Sequence, residues 1–231
     1  MSIKFYNRGN KTGEVWLYGV VGDDFGGMTD KQFMQGLNDL GRVDTLSVRI
    51  NSEGGSVFDG FAIYNALVRH PAKVEVHVDA FAGSIASIIA MAGDSINMAA
   101  NSMMMIHEPS APAWGDSRDL RQMADVLDGI RGQLVDTYAA RTKQQKQMIS
   151  DWMLNETWLT ASDAVANGFA DKITAELKVA ALLDVNKYRN KTLPRAFVDR
   201  IAAHRYPDRE ANAARIADME RRLNSYRNHS D

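Results

Sequence analysis

The sequence predicts an α/β layered domain, and three observations carry that prediction. Segments of two-residue apolar alternation take turns with segments of helical spacing between residues 14 and 106. Residues 73–78 alternate cleanly, with Val74, Val76 and Val78 on one side and Lys73, Glu75 and His77 on the other. Residues 117–141 form a long amphipathic stretch with Leu120, Met123, Leu127, Ile130, Leu134 and Tyr138 on one stripe. Strands and helices in this order pack as layers joined by right-handed crossovers.

In chain order, residues 14–21 (EVWLYGVV) read as the first strand. Phe33, Met34, Leu37 and Leu40 mark a helix over 30–40. A strand over 45–50 runs directly into Asn51-Ser52-Glu53-Gly54-Gly55, where adjacent glycines usually make a turn. A helix over 57–67 stops near His70-Pro71, and the 73–78 strand follows. Next come a Gly/Ala/Ser-rich apolar helix over 83–92 and short strands around 96–98 and 103–106. After the long 117–141 helix, Asp151 falls on a further helix, then Thr160 caps a helix that Gly168 stops. Near the end, Pro194 and Pro207 precede a helix with Ile216, Met219, Leu223 and Tyr226 on one side.

Composition bounds the function. The 231 residues suit one sizeable domain with a short appendage, and no apolar run approaches the ~20 residues that span a bilayer. The first residues lack the apolar core of a signal peptide, and a cytoplasmic location is expected. With no cysteine there is no disulfide framework, thiol nucleophile or thiolate metal site. Charge is uneven. Residues 176–231 hold 12 Lys+Arg against 8 Asp+Glu, and residues 1–175 hold 15 against 21. An acidic domain over 1–175 and a basic extension over 176–231 are therefore expected. The basic residues are scattered and accompany no nucleic-acid-reading motif.

A hydroxyl nucleophile needs a base within hydrogen-bond reach and donors aimed at the oxyanion it creates. Ser84 stands where an apolar helix begins, so the Ile85 N–H is a free donor at the positive end of the helix dipole. Gly54-Gly55 follows another strand end, where missing side chains let N–H groups approach a substrate. Of five histidines, His107 differs because it ends the apolar run Met103-Met104-Met105-Ile106 at a strand-to-loop junction. Each element alone has an ordinary structural reading, an N-cap, a turn or a satisfied buried histidine.

Four blocks in order change that balance: INSEGG (50–55), AGSIASIIAMAG (82–93), NSMMMIHEP (101–109) and ETWLTASDAVANGFAD (156–171). Together they resemble the signature segments of ClpP-type serine peptidases. The 29 residues from Gly55 to Ser84 and 49 from His107 to Glu156 also look like that family's spacings. The IAMAGD and MMMIH segments resemble most closely the ClpP-related head maturation (prohead) proteases of tailed phages. The resemblance implies a ClpP/crotonase-like spiral of ββα units, with the 117–141 segment as a protruding handle helix and a C-terminal helical extension beyond. It implies acyl transfer without metal or cofactor: Ser84 as nucleophile, His107 as general base, Glu156 as third member, and the Gly55 and Ile85 N–H groups as oxyanion hole. Most family members have aspartate where this chain has Glu156, and Asp151 is the substitute candidate. Ser87 rivals Ser84, one helical turn away, but the family's nine-residue separation to the glycine of the AG pair selects Ser84.

Assembly follows from the same resemblance. Handle helices in ClpP-type enzymes interlock two seven-membered rings, so a ring homo-oligomer acting on protein substrates is expected. The first predicted strand begins near Glu14, leaving little for axial loops that engage an ATPase, so no ATPase partner is expected. A scaffold or capsid protein is the expected substrate, inside immature capsids in the host cytoplasm. The alternatives are a general ClpP-type cytoplasmic peptidase, a crotonase-like acyl-CoA enzyme and an inactive ring-forming scaffold protein.

Overall fold

The computed structural model describes residues 4–9, 11–23 and 26–177, all within one compact unit. Beyond its first two residues, the basic tail, with the Ile216–Tyr226 stripe, lies outside the described residues. Strands β1 (Lys4–Asn7), β2 (Thr12–Val21), β3 (Thr45–Gly55), β4 (Lys73–Gly83), β5 (Ser95–Ala99), β6 (Met103–Ile106), β7 (Thr157–Thr160) and β8 (Lys172–Thr174) join in one sheet. Its main path is β1-β2-β3-β4-β5-β8, with β6 pairing β4 and β7. The neighbours β2, β3, β4 and β5 run parallel, as strands joined by helical crossovers must. Those crossovers are α1 (Asp30–Leu40), α2 (Val57–Val68) and α3 (Ile85–Ala90). Then α4 (Ser117–Thr142), α5 (Lys146–Leu154) and α6 (Ala161–Ala166) follow, and none of the described helices is long and apolar enough to cross a membrane.

The alternation read at 73–78 has a topological cause. Parallel sheets are usually covered on both faces and read as continuous apolar runs. Here Val15, Leu17, Leu46, Val48, Ile50, Val74, Val76, Val78, Ile96 and Met98 are buried in one core with the helices. On the other face Tyr18 donates to Asp79 (2.6 Å) and Arg49 grips the same carboxylate at 2.8 and 2.5 Å. Asp79 is buried there, and desolvation raises its pKa against the opposing pull of Tyr18 and Arg49. This polar lattice across β2, β3 and β4 keeps the uncovered face satisfied.

Two strands run further than their sequence pattern predicts. Residues 51–55 continue β3 because β2 supplies partners, pairing Val20 with Gly54 and Val21 with Gly55. Likewise β4 exchanges partners midway: Glu75–Val78 pair with β5, and Phe81–Gly83 pair with β6. The β3–β4 register shifts between Ile50 and Ser52, just before β4 changes partner from β5 to β6. The short strands β1 and β8 carry no alternation long enough to read; both are edge elements defined by their neighbours. With β1 in place, the sheet starts ten residues before the Glu14 expected from sequence.

Helix ends follow local chemistry. Capping boxes start α1 at Thr29 with Gln32, α4 at Asp116 with Asp119, and α6 at Thr160 with Asp163. The predicted stripe of α4 divides in two: Leu134 and Tyr138 are buried, whereas Leu120 is 47% exposed beside Val126 at 46%. Its first half therefore stands away from the core. Between α2 and α3 the contact is made at Gly60, where a Cβ would lie 2.1 Å from Ile85 Cγ1. Gly60→Ala is expected to lose about 1–3 kcal/mol to overpacking, outweighing the ~1 kcal/mol of helix propensity gained. A thermal melt checks this, and an unchanged or higher Tm would show that Ile85 moves aside cheaply.

Candidate active site

Ser84 sits between the last residue of β4 and the first of α3, at φ 53 and ψ −129. Such a backbone is costly for a residue with a Cβ and holds only where its surroundings over-determine it. Here they do. The Ser84 N–H donates to the Met105 carbonyl (2.9 Å), extending the β4–β6 ladder, and the Ser84 carbonyl accepts from Ser87 N–H (3.0 Å) and Ser87 Oγ (2.5 Å). Within the otherwise buried run 81–90 Ser84 alone is partly exposed.

His107 leaves β6 beside it. From 102 to 106 the chain is buried, and His107 is the first half-exposed residue. Its Nε2 lies 2.8 Å from Ser84 Oγ, the one polar contact expected of a base and its nucleophile. Across the ladder Ile106 pairs with Thr157, so His107 and Glu156 leave β6 and β7 side by side. Both segments are tied to the end of α5, because the Met153 carbonyl accepts the N–H groups of Glu108 (3.2 Å) and Glu156 (3.1 Å). Glu156 itself is only 5% exposed, has φ 46, and accepts from Trp158 Nε1 at 3.3 Å.

The alternatives sit elsewhere. Asp151 is exposed and accepts from Gln147 (2.9 Å) on its own helix. Ser87 is fully buried, spends its proton on Ser84 O, and meets Tyr138 OH at 2.7 Å. Burial raises the Tyr138 pKa, so that phenol stays protonated and donates to Ser87. Glu108 turns away from the imidazole and pairs with Arg131 (2.7 Å). Among the other histidines, burial lowers the pKa of His77 on the polar sheet face and of His70, whose Nδ1 accepts from Ala72 N–H (3.2 Å).

The glycine pair lies against the serine. A Cβ on Gly54 would come within 2.7 Å of both Ser84 Cβ and Gly83 O, and 3.1 Å of the Ile85 nitrogen. The Gly54 N–H donates to Ser52 Oγ (3.1 Å), and Gly55 follows at φ 143. As first residue of α3, Ile85 has an N–H with no partner inside its helix. Gly54→Ala combines φ 95 with that clash. Its expected result is at least about 10²-fold slower labelling by a fluorophosphonate, comparable to losing an oxyanion donor. Labelling at the wild-type rate would show that the glycine does not shape this site.

Sequence reading missed the contact of Trp158 with Glu156. Trp158 was legible only as part of an aromatic strand, yet its place two residues after Glu156 at the start of β7 is the signal for a shared face. Gly54 stood out in the sequence as half of a glycine pair able to approach a substrate, and the fold adds its close contact with Ser84 and Gly83.

Comparison with known proteins identifies the family. The family described as Clp protease matches residues 2–176. The chain is 32% identical to the ATP-dependent Clp protease proteolytic subunit 3 of Rhodococcus jostii, over 54% of this chain and 63% of that protein. It is 34% identical to the proteolytic subunit of Pleurastrum terricola (56% and 67% covered), and 31% to proteolytic subunit 3 of Streptomyces coelicolor (57% and 62%). The alignments thus span about three fifths to two thirds of these relatives' own length. With a family match that runs through every strand of the sheet and all three site segments, the chain belongs to the Clp protease family.

Proposed function

We propose that this protein is a serine endopeptidase, and the observation that carries the reading is the 2.8 Å contact between His107 Nε2 and Ser84 Oγ at a strained, half-exposed turn. In this reading His107 takes the Ser84 proton as Oγ attacks a peptide carbonyl. The N–H groups of Gly55 and Ile85 hold the tetrahedral oxyanion, and Glu156 fixes the imidazole tautomer and stabilises the imidazolium. His107 then protonates the leaving amine, and water releases the acyl-enzyme by the same steps. A crotonase-like acyl-CoA site would use the oxyanion donors without a serine–histidine pair, so the pair favours hydrolysis. Family membership also supports a ring homo-oligomer, to which the exposed half of α4 would contribute.

The finer reading is head maturation in a tailed phage, with scaffold or capsid protein as substrate inside the immature capsid. It is supported by the IAMAGD and MMMIH segments. The curated relatives, named as Clp proteolytic subunits, support instead a general peptidase with the same chemistry. Co-expression with candidate capsid and scaffold proteins, followed by sequencing of new N-termini, separates the two. Discrete cleavages that vanish in Ser84→Ala support maturation. Cleavage of casein with intact capsid proteins supports the general peptidase.

A further inference from the structure

We propose that Trp158 is a positioning residue for the reaction, holding the Glu156 carboxylate through its indole N–H; this rests on the peptidase reading above. Glutamate in the third position brings one more methylene and one more rotatable bond than aspartate. A buried carboxylate with that freedom orients an imidazole only if something fixes its last torsions. The indole does so: Trp158 Nε1 donates to Glu156 Oε1 at 3.3 Å, and the acceptor is 5% exposed.

The indole is itself held. Its ring stacks on Phe81, with centroids 5.4 Å apart and planes 12° from parallel. Phe81 lies on β4 three residues before Ser84, and the two rings meet across β6, where Phe81 pairs with Met103 and Trp158 with Met105. Room for the Phe81 ring comes from Gly83, where a Cβ would stand 2.4 Å from that ring. A chain of contacts thus runs from the strand that carries the nucleophile, through two stacked rings, to the carboxylate behind the base. Stacked aromatic pairs resist sliding, so the N–H stays aimed.

Trp158→Phe keeps an aromatic ring against Phe81 and removes the N–H along with part of the stacking area. Expected is a kcat about 10-fold lower per competent site, counted by fluorophosphonate titration, with KM changed less than about 2-fold. The acid limb of the kcat/KM profile should move about half a unit to lower pH, because a poorly aimed carboxylate stabilises imidazolium less. A purely structural role would reduce the number of sites and leave that limb in place. In a Glu156→Gln background the same change should have no further effect, and additive losses would overturn the proposal. Trp158→His, which retains a ring N–H, should recover most of the rate; equal impairment in His and Phe variants would also overturn it, including where the Phe variant folds poorly. An inactive Ser84→Ala with a wild-type Trp158→Phe profile refutes this inference alone. An active Ser84→Ala refutes the peptidase reading beneath it.

Discussion

Ser84→Ala is expected to lower kcat about 10⁶-fold, and His107→Ala to do nearly the same, with the double variant no worse than either. In the proposed mechanism the three values coincide because the hydroxyl and the imidazole would act as one unit, neither generating the nucleophile alone. Residual turnover of about 10³–10⁴ over water would remain from the oxyanion donors and binding. Folding should survive, since Ser84 is only partly buried and the backbone bonds to Met105 and Ser87 hold the turn whatever the side chain. Ser87→Ala serves as the contrast. It loses the bonds to Ser84 O and Tyr138 OH but no reacting atom, so about 10-fold is the most it should cost. Casein cleavage with purified variants checks all four. Turnover near wild type in Ser84→Ala would refute the proposed peptidase chemistry at this site.

Glu156→Gln carries the second large effect, about 10⁴-fold in kcat with KM little changed. A carboxamide keeps the shape and still accepts from Trp158, but presents no charge to an imidazolium and permits the wrong tautomer. Burial sharpens the loss, because little water is at hand to replace the carboxylate. Asp151→Asn should leave kcat unchanged: that side chain is exposed and bonded to Gln147. Measured side by side, a ranking in which Asp151→Asn is the damaging change would reverse the assignment of the third member.

The parts of the site that were legible in sequence are those with local chemistry. Ser84 before an apolar helix and His107 after an apolar strand both declare a junction, and a junction is where a buried strand delivers a side chain to solvent. The 73–78 alternation put Val74, Val76 and Val78 on one side of the strand, and that side is the one buried in the core. What escaped reading depends on partners distant in sequence. Residues 51–55 looked like a turn because two glycines favour one, yet β2 recruits them into the ladder. The β4 extension through Gly83 likewise exists because β6 is there to pair with it. The α4 stripe looked uniform, but only its second half meets the core, since periodicity shows which face is apolar and not what covers it. The Tyr18–Arg49–Asp79 lattice joins three strands through residues distant in sequence, with no local pattern to announce it.

The central claim is that one hydroxyl is activated by one imidazole. Its most direct measurement is fluorophosphonate labelling of wild type and His107→Ala across pH, with the modified peptide mapped by mass spectrometry. A single adduct on Ser84, forming faster as pH rises through the titration of an imidazole and losing that dependence in His107→Ala, is the predicted outcome. An adduct on another residue, or labelling indifferent to the loss of His107, would contradict it.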